Sequence, residues 1–389
     1  MKKSLVALAA LAATTAFAQS SVTVYGIVDQ AYQTNNQNSR DGSKFQNYRG
    51  FGEGAMAGSR IGFRGTEDLG GGMKANFVIE QGIAISQADG FNYRKTGDGL
   101  DVAQNSVTGA NRQSFVGLES SSLGSIKMGR IYASTYDMYT NNGMIIAEAA
   151  GNGQATWGVD TRIKGAQYST PAIGGAVFSL FKGGKNEDGI NVDTNQDQIN
   201  GFRSRKSDYT AYRVMWAQGP AKVGYSYEMA KMDQTPNGAV YAPSYYSSVK
   251  TTVAPVAGDF DTAYNLKTST LAGSYKFSSF ELIGLYGTAD RGNAADTSVS
   301  QEKLRQIGAK VPFGGKWEAQ VNYFTKKATK DSDGSVTLDQ KGNFLNVNYS
   351  FSKRTRAYIA MGSQKDEAGA ATTVTQEVKR NFVGVIHTF

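Results

Sequence analysis

The chain has 389 residues, with 41 Lys plus Arg against 33 Asp plus Glu, 46 Gly, 6 Pro, one His and no Cys. Without thiols and with a single imidazole, His387, it cannot build a disulfide scaffold, an iron–sulfur cluster, a Cys nucleophile or a centre needing two His, and a Ser/His/Asp triad has little room. Beyond residue 18 no apolar run reaches the roughly 18 residues that a membrane helix needs, which excludes a polytopic helical transporter.

The first element in chain order is a secretory signal peptide. Lys2 and Lys3 form its positive end, Leu5 to Ala16 its apolar run, and Ala16-Phe17-Ala18 a small-x-small cleavage site, so the mature chain should begin at Gln19. Removing Lys2 and Lys3 from 41 bases leaves 39 against 33 acids, a charge of +6 that is too small and too scattered to indicate nucleic acid as a partner.

From there the sequence repeats a strand of about ten residues with alternating faces. Met73, Ala75, Phe77 and Ile79 oppose Lys74, Asn76, Val78 and Glu80. Val223, Tyr225, Tyr227 and Met229 oppose Lys222, Gly224, Ser226 and Glu228. Ala319, Val321 and Tyr323 oppose Glu318, Gln320 and Asn322, and Leu345, Val347, Tyr349 and Phe351 oppose Asn346, Asn348 and Ser350. One such strand fits a soluble sandwich. The pattern repeated along the whole chain, with no other hydrophobic core, predicts an all-β fold closed as a barrel, with lipid outside and water inside.

The connectors alternate as well. Short links such as 67–72, 120–124, 218–220, 312–316 and 351–354 alternate with long polar ones at 33–58, 83–110, 134–161, 184–206, 232–267 and 364–379. Short periplasmic turns and long extracellular loops are the pattern of outer-membrane barrels. The expected strands number 16, starting near 22, 59, 73, 111, 125, 162, 176, 207, 221, 268, 280, 303, 317, 341, 355 and 380. An even number of antiparallel strands puts both termini on the periplasmic side and lets the first and last strands pair, removing the open edges that hydrocarbon does not tolerate.

Several segments together resemble the general porins of beta-proteobacteria. They are VTVYGIVD at 22–29, SRIGFRGTEDLGGGMKANFVIEQG at 59–82, RQSFVGLESSSLGSIKMGR at 112–130, SKRTRAYIAMG at 352–362 and VGVIHTF at 383–389, spread in order over the mature chain. The resemblance implies a homotrimer of 16-stranded antiparallel transmembrane β-barrels in the outer membrane of a Gram-negative bacterium. Each barrel would hold a water-filled pore narrowed by its folded-in third loop, and the terminal Phe389 would serve as the assembly signal. Its partners would be small hydrophilic solutes, inorganic ions and outer-membrane lipid.

Pore chemistry lies in the charges that face the narrow part. With Ile61, Phe63 and Gly65 toward lipid, Arg60, Gly62 and Arg64 face the lumen. With Gln113 and Phe115 outward, Arg112 joins them, and Lys74 and Lys127 follow by parity. Arg60 and Arg112 match positions where the family places its constriction arginines, and Arg162 matches a third to within a residue. RIKGAQYSTP at 162–171 departs from the family by placing Lys164 and Gly165 where an Asn-Ser pair is usual, which adds a base near the narrowing. Ile386 stands where the family usually has Arg, and His387 then faces outward at the membrane rim.

Opposite this basic wall should lie the third loop. Residues 134–160 contain no Lys or Arg but three acids, Asp137, Glu148 and Asp160, among Gly143, Gly151, Gly153 and many small residues. That composition suits a loop folded into a pore, and acids facing bases would set a transverse field.

Other motifs fall short. GEGAMAG at 52–58 and GNGQATWG at 151–158 misplace the third Gly of a dinucleotide loop, and DSDGSVTLD at 331–339 lacks the spacing of a calcium loop. No catalytic residue, cofactor or metal is therefore expected. The sequence reads as a passive diffusion porin with a mild anion preference. A substrate-selective channel for phosphate or small organic anions is the alternative, and an outer-membrane hydrolase or adhesin barrel a third class.

Overall fold

A strand with hydrocarbon on one side can satisfy its edge N–H and C=O groups only against another strand, so a lipid-facing sheet has to close. The computed structural model describes residues 21–38, 44–83, 85, 112–142, 162–183, 202–236, 263–293, 298–367 and 376–389, and there the sheet closes. Seventeen strand segments make sixteen staves. β1 (Ser21–Asn38) pairs on one side with β17 (Gln376–Thr388). On its other side its upper half pairs with β2 (Lys44–Glu53) and its lower half with β3 (Arg60–Gly70). β2 and β3 are thus one stave, interrupted at residues 54–59.

The antiparallel circuit continues through β4 (Met73–Gly82), β5 (Ser114–Ser120) and β6 (Gly124–Tyr132). A helix, α1 (Ser134–Asn142), precedes β7 (Arg162–Ser169) and β8 (Ala176–Gly183). β9 (Phe202–Gln218), β10 (Ala221–Pro236), β11 (Ala263–Lys276) and β12 (Glu281–Asn293) follow. β13 (Ser298–Phe313), β14 (Trp317–Lys330), β15 (Val336–Ser350) and β16 (Thr355–Asp366) complete the ring with β17.

Strand starts that follow a short turn fall within one residue of expectation, whereas most at the long-connector end come earlier, at 202, 263, 298, 336 and 376. Part of what reads as loop is strand: residues 33–58 contain the rest of β1 and all of β2. Past the lipid, strands need no apolar face, so the alternation fades while the ladder continues. The GGG run turns β3 into β4 because Gly70, Gly71 and Gly72 all have φ between +61° and +78°, a conformation L side chains resist. The first five residues of DSDGSVTLD, 331–335, form the β14–β15 hairpin turn, where Asp333 Oδ1 accepts from Ser335 N at 2.8 Å, and the rest begin β15.

The faces follow the alternation. Val321 and Tyr323 are exposed on the outside while Asn322 and Phe324 are buried inside, and Leu345 opposes buried Asn346 and Asn348. β5 is a correction. Val116 and Leu118 are its exposed outer residues, so Phe115 points inward, where its ring lies 5.4 Å from Lys127 Nζ. Ile386 is buried inside and His387 exposed, its Nδ1 2.9 Å from Thr355 Oγ1.

Candidate functional site

Two polar clusters in the described lumen contain expected site residues. The first grows from β1, β3, β4 and the bend before β5. Glu80, inward on β4, receives Arg112 Nε at 2.5 Å and Tyr25 Oη at 3.1 Å, and Arg60 Nη1 lies 3.8 Å from it. The Arg64 guanidinium lies over the Tyr25 ring at 5.2 Å. Arg162, at the start of β7, lies over Tyr132 at 5.2 Å and Tyr136 at 5.9 Å, and both tyrosines are within electrostatic range of Arg112. Arg112 enters the lumen through the bend at residues 112–113 rather than by strand parity, since the register of β5 would turn it outward.

The second cluster docks the start of the third loop. At the N-terminus of α1, Ser134 N donates to Tyr209 Oη at 2.8 Å and Thr135 N to Glu228 Oε1 at 2.8 Å. Tyr209 Oη donates to the same carboxylate at 2.6 Å and Thr268 to its other oxygen at 3.1 Å. A carboxylate there satisfies orphan N–H groups and meets the positive end of the helix dipole. Asp137 pairs with Arg213 of β9 at 2.5 Å, each side chain only 7 % exposed, and Arg213 also donates to Ser134 O at 3.2 Å. Met138 and Tyr139 then bury against the inner wall, where Gly224 leaves room for the Met138 sulfur.

The expected site residues therefore separate. Arg60, Arg64, Arg112 and Arg162 gather in the first cluster. Lys127 faces inward but lies with Asp137 and Arg213 in the second. Lys74 has inward parity but sits six residues along β4 from Glu80, about 20 Å away. Lys164 is exposed and shares the parity of outward Tyr168, whereas Arg162, of the same parity but the first residue of β7, meets Tyr132 and Tyr136. Asp137 does not oppose the arginines across the lumen, because burial requires it to be paired and Arg213 is the partner. Glu148 and Asp160 lie outside the described residues.

Sequence reading missed Glu80 as the shared anion, Arg213 and Glu228 as anchors, and the Tyr25, Tyr132 and Tyr136 rings. Glu80 and Glu228 were visible as inward polar positions, but parity does not identify a partner several strands away.

Phe389 lies at the seam, exchanging backbone hydrogen bonds of 3.1 Å in both directions with Gly26.

The comparisons agree with this architecture. The family model for Gram-negative porins matches residues 4–369. Outer membrane porin protein 32 of Delftia acidovorans is 30% identical, covering 99% of this chain and 95% of that one. Major outer membrane protein P.IB of Neisseria gonorrhoeae is 28% identical over 96% of this chain and 97% of its own. Among solved structures, the anion-selective porin from Comamonas acidovorans matches with a TM-score of 0.66 and 23% identity, over 95% of this chain and all of the other. The chain belongs to the Gram-negative porin family: it is a diffusion channel of the outer membrane and not an enzyme.

Proposed function

We propose that this channel passes small hydrophilic solutes and ions with a mild preference for anions, set by Arg60, Arg64, Arg112 and Arg162. One observation carries the reading. Among the described residues, four guanidiniums share the first cluster with a single carboxylate, Glu80, while the loop acid Asp137 is neutralised by Arg213. The anion-selective Comamonas acidovorans porin, which shares the fold, supports it. At physiological salt the Debye length is about 8 Å, so loop charges are screened and the narrow part governs selectivity. The zero-current potential across a bilayer in a potassium chloride gradient tests the preference, and a cation-selective wild type refutes it. Linear rather than saturating flux separates passive diffusion from the substrate-selective alternative.

The same reading makes the protein a homotrimer seated in outer-membrane lipid, with residues 1–18 a cleaved signal peptide ahead of a 19–389 barrel, and Phe389 the assembly signal. Cross-linking in membranes and N-terminal sequencing of the exported protein test the first two.

A further inference from the structure

The break between β2 and β3 has a built-in anchor. Residues 54–59, GAMAGS, leave the barrel wall and fold inward over β1. Asp29, fully buried, holds them by side chain and main chain. Its Oδ2 accepts Met56 N and Ala57 N at 2.7 Å each, and its Oδ1 accepts Tyr358 Oη at 2.7 Å. Its backbone O accepts Gly54 N at 3.0 Å and its backbone N donates to Ser59 Oγ at 3.0 Å. Ala55 and Met56 pack on Phe344, Tyr358, Phe382 and Ile386 of the inner wall. The far end of the segment reaches the pore arginines: Gly58 O accepts Arg60 Nε at 2.9 Å, and the space that a Cβ on Gly58 would take lies 3.1 Å from Arg112 Nη1.

We propose that Asp29 is a positioning residue for ion selectivity: it latches segment 54–59 to the inner wall, and the latched segment holds Arg60 and Arg112 in their places at the lumen. This rests on the reading of those arginines as the selectivity element. A buried carboxylate accepting three short hydrogen bonds fixes its partners tightly, and low local dielectric strengthens each bond. The device uses a side chain that never meets the permeating ion. Its effect reaches the pore through Gly58, whose carbonyl holds Arg60 and which has no side chain to crowd the Arg112 guanidinium.

The chain has no Cys, so Ala55→Cys provides a sole thiol, at a position 4% exposed in the latched state. Asp29→Asn in that background should turn the thiol from protected to readily labelled by a water-soluble maleimide. In the otherwise wild-type channel it should lower the anion-to-cation permeability ratio about twofold or more, because moving a charge from about 4 to about 6 Å from a passing ion changes even a water-screened Coulomb energy by much of the thermal energy. If Asp29→Asn does not assemble, Tyr358→Phe and Ser59→Ala each remove one bond of the latch and should move both readings the same way. An assembled variant that leaves the thiol protected, or exposes it without changing the zero-current potential, overturns the proposal. Arg60→Gln with Arg112→Gln is the separate control: an unchanged potential there refutes the arginine reading itself, whatever the thiol reports.

Discussion

Gly26 and Phe389 close the barrel: each donates its backbone N–H to the other's carbonyl at 3.1 Å, and the Phe389 ring covers the face that Gly26 leaves bare. These two residues, far apart in the chain, are the bottom rung of the β1–β17 ladder that runs up to Gln37 and Val378. Deleting Phe389 removes both bonds and leaves an open edge at the membrane boundary, so heat-modifiable barrel in outer-membrane fractions should fall steeply. Gly26→Val should cost about 1–3 kcal/mol by overpacking, since its Cβ meets the Phe389 ring and lies 2.6 Å from Arg60 O, a backbone atom that cannot turn away. Wild-type amounts of barrel in the deletion would contradict the first prediction, and wild-type unfolding in the valine variant the second.

The two faces of β14 should respond differently to charge. Val321→Arg, outward at mid-strand, should cost about 2–4 kcal/mol near the bilayer midplane. Gln320→Arg should cost under about 1 kcal/mol, because position 320 faces the lumen beside Glu318, with which Gln320 makes a 2.6 Å hydrogen bond. Reversible unfolding in lipid checks both, and equal costs would reverse the assigned faces.

Asp137→Asn strips the buried Arg213 of its anion and should weaken the docking of α1 by about 3–5 kcal/mol. Limited proteolysis should then cut within residues 134–142, and single-channel current should become noisier. Adding Arg213→Met, which removes the stranded charge, should restore much of the protection. A single mutant as protected as wild type would show that the pair does not anchor the helix.

Glu80 holds Arg112 at 2.5 Å and lies 3.8 Å from Arg60. Glu80→Gln should raise the anion-to-cation permeability ratio several-fold, since about 1.4 kcal/mol is tenfold and a lost unit charge in a narrow aqueous pore supplies a good part of that. Arg60→Gln with Arg112→Gln should move the potential the opposite way. Both are read from the zero-current potential in a potassium chloride gradient.

The lipid-facing registers were legible because hydrocarbon imposes a strict rule on every second residue: the starts at 73, 176, 221, 317 and 355 fall where the alternation and turn residues put them. Above the lipid that rule lapses, and β9, β11, β13, β15 and β17 begin four or five residues before the expected positions. Parity also failed at Phe115, where a short strand of mixed residues gave no clear contrast between faces.

The sequence by itself determined the class of protein: a closed, lipid-facing barrel with its arginines Arg60 and Arg64 on the water side, since strand period and solvent on each face are local constraints written residue by residue. Tertiary structure alone decided the pairing of those charges. Glu80 with Arg112, Asp137 with Arg213 and Asp29 with segment 54–59 join positions 25 to 76 residues apart. Burial compels such groups to find partners, but which partner is in reach depends on how the whole sheet curls and what folds inside it.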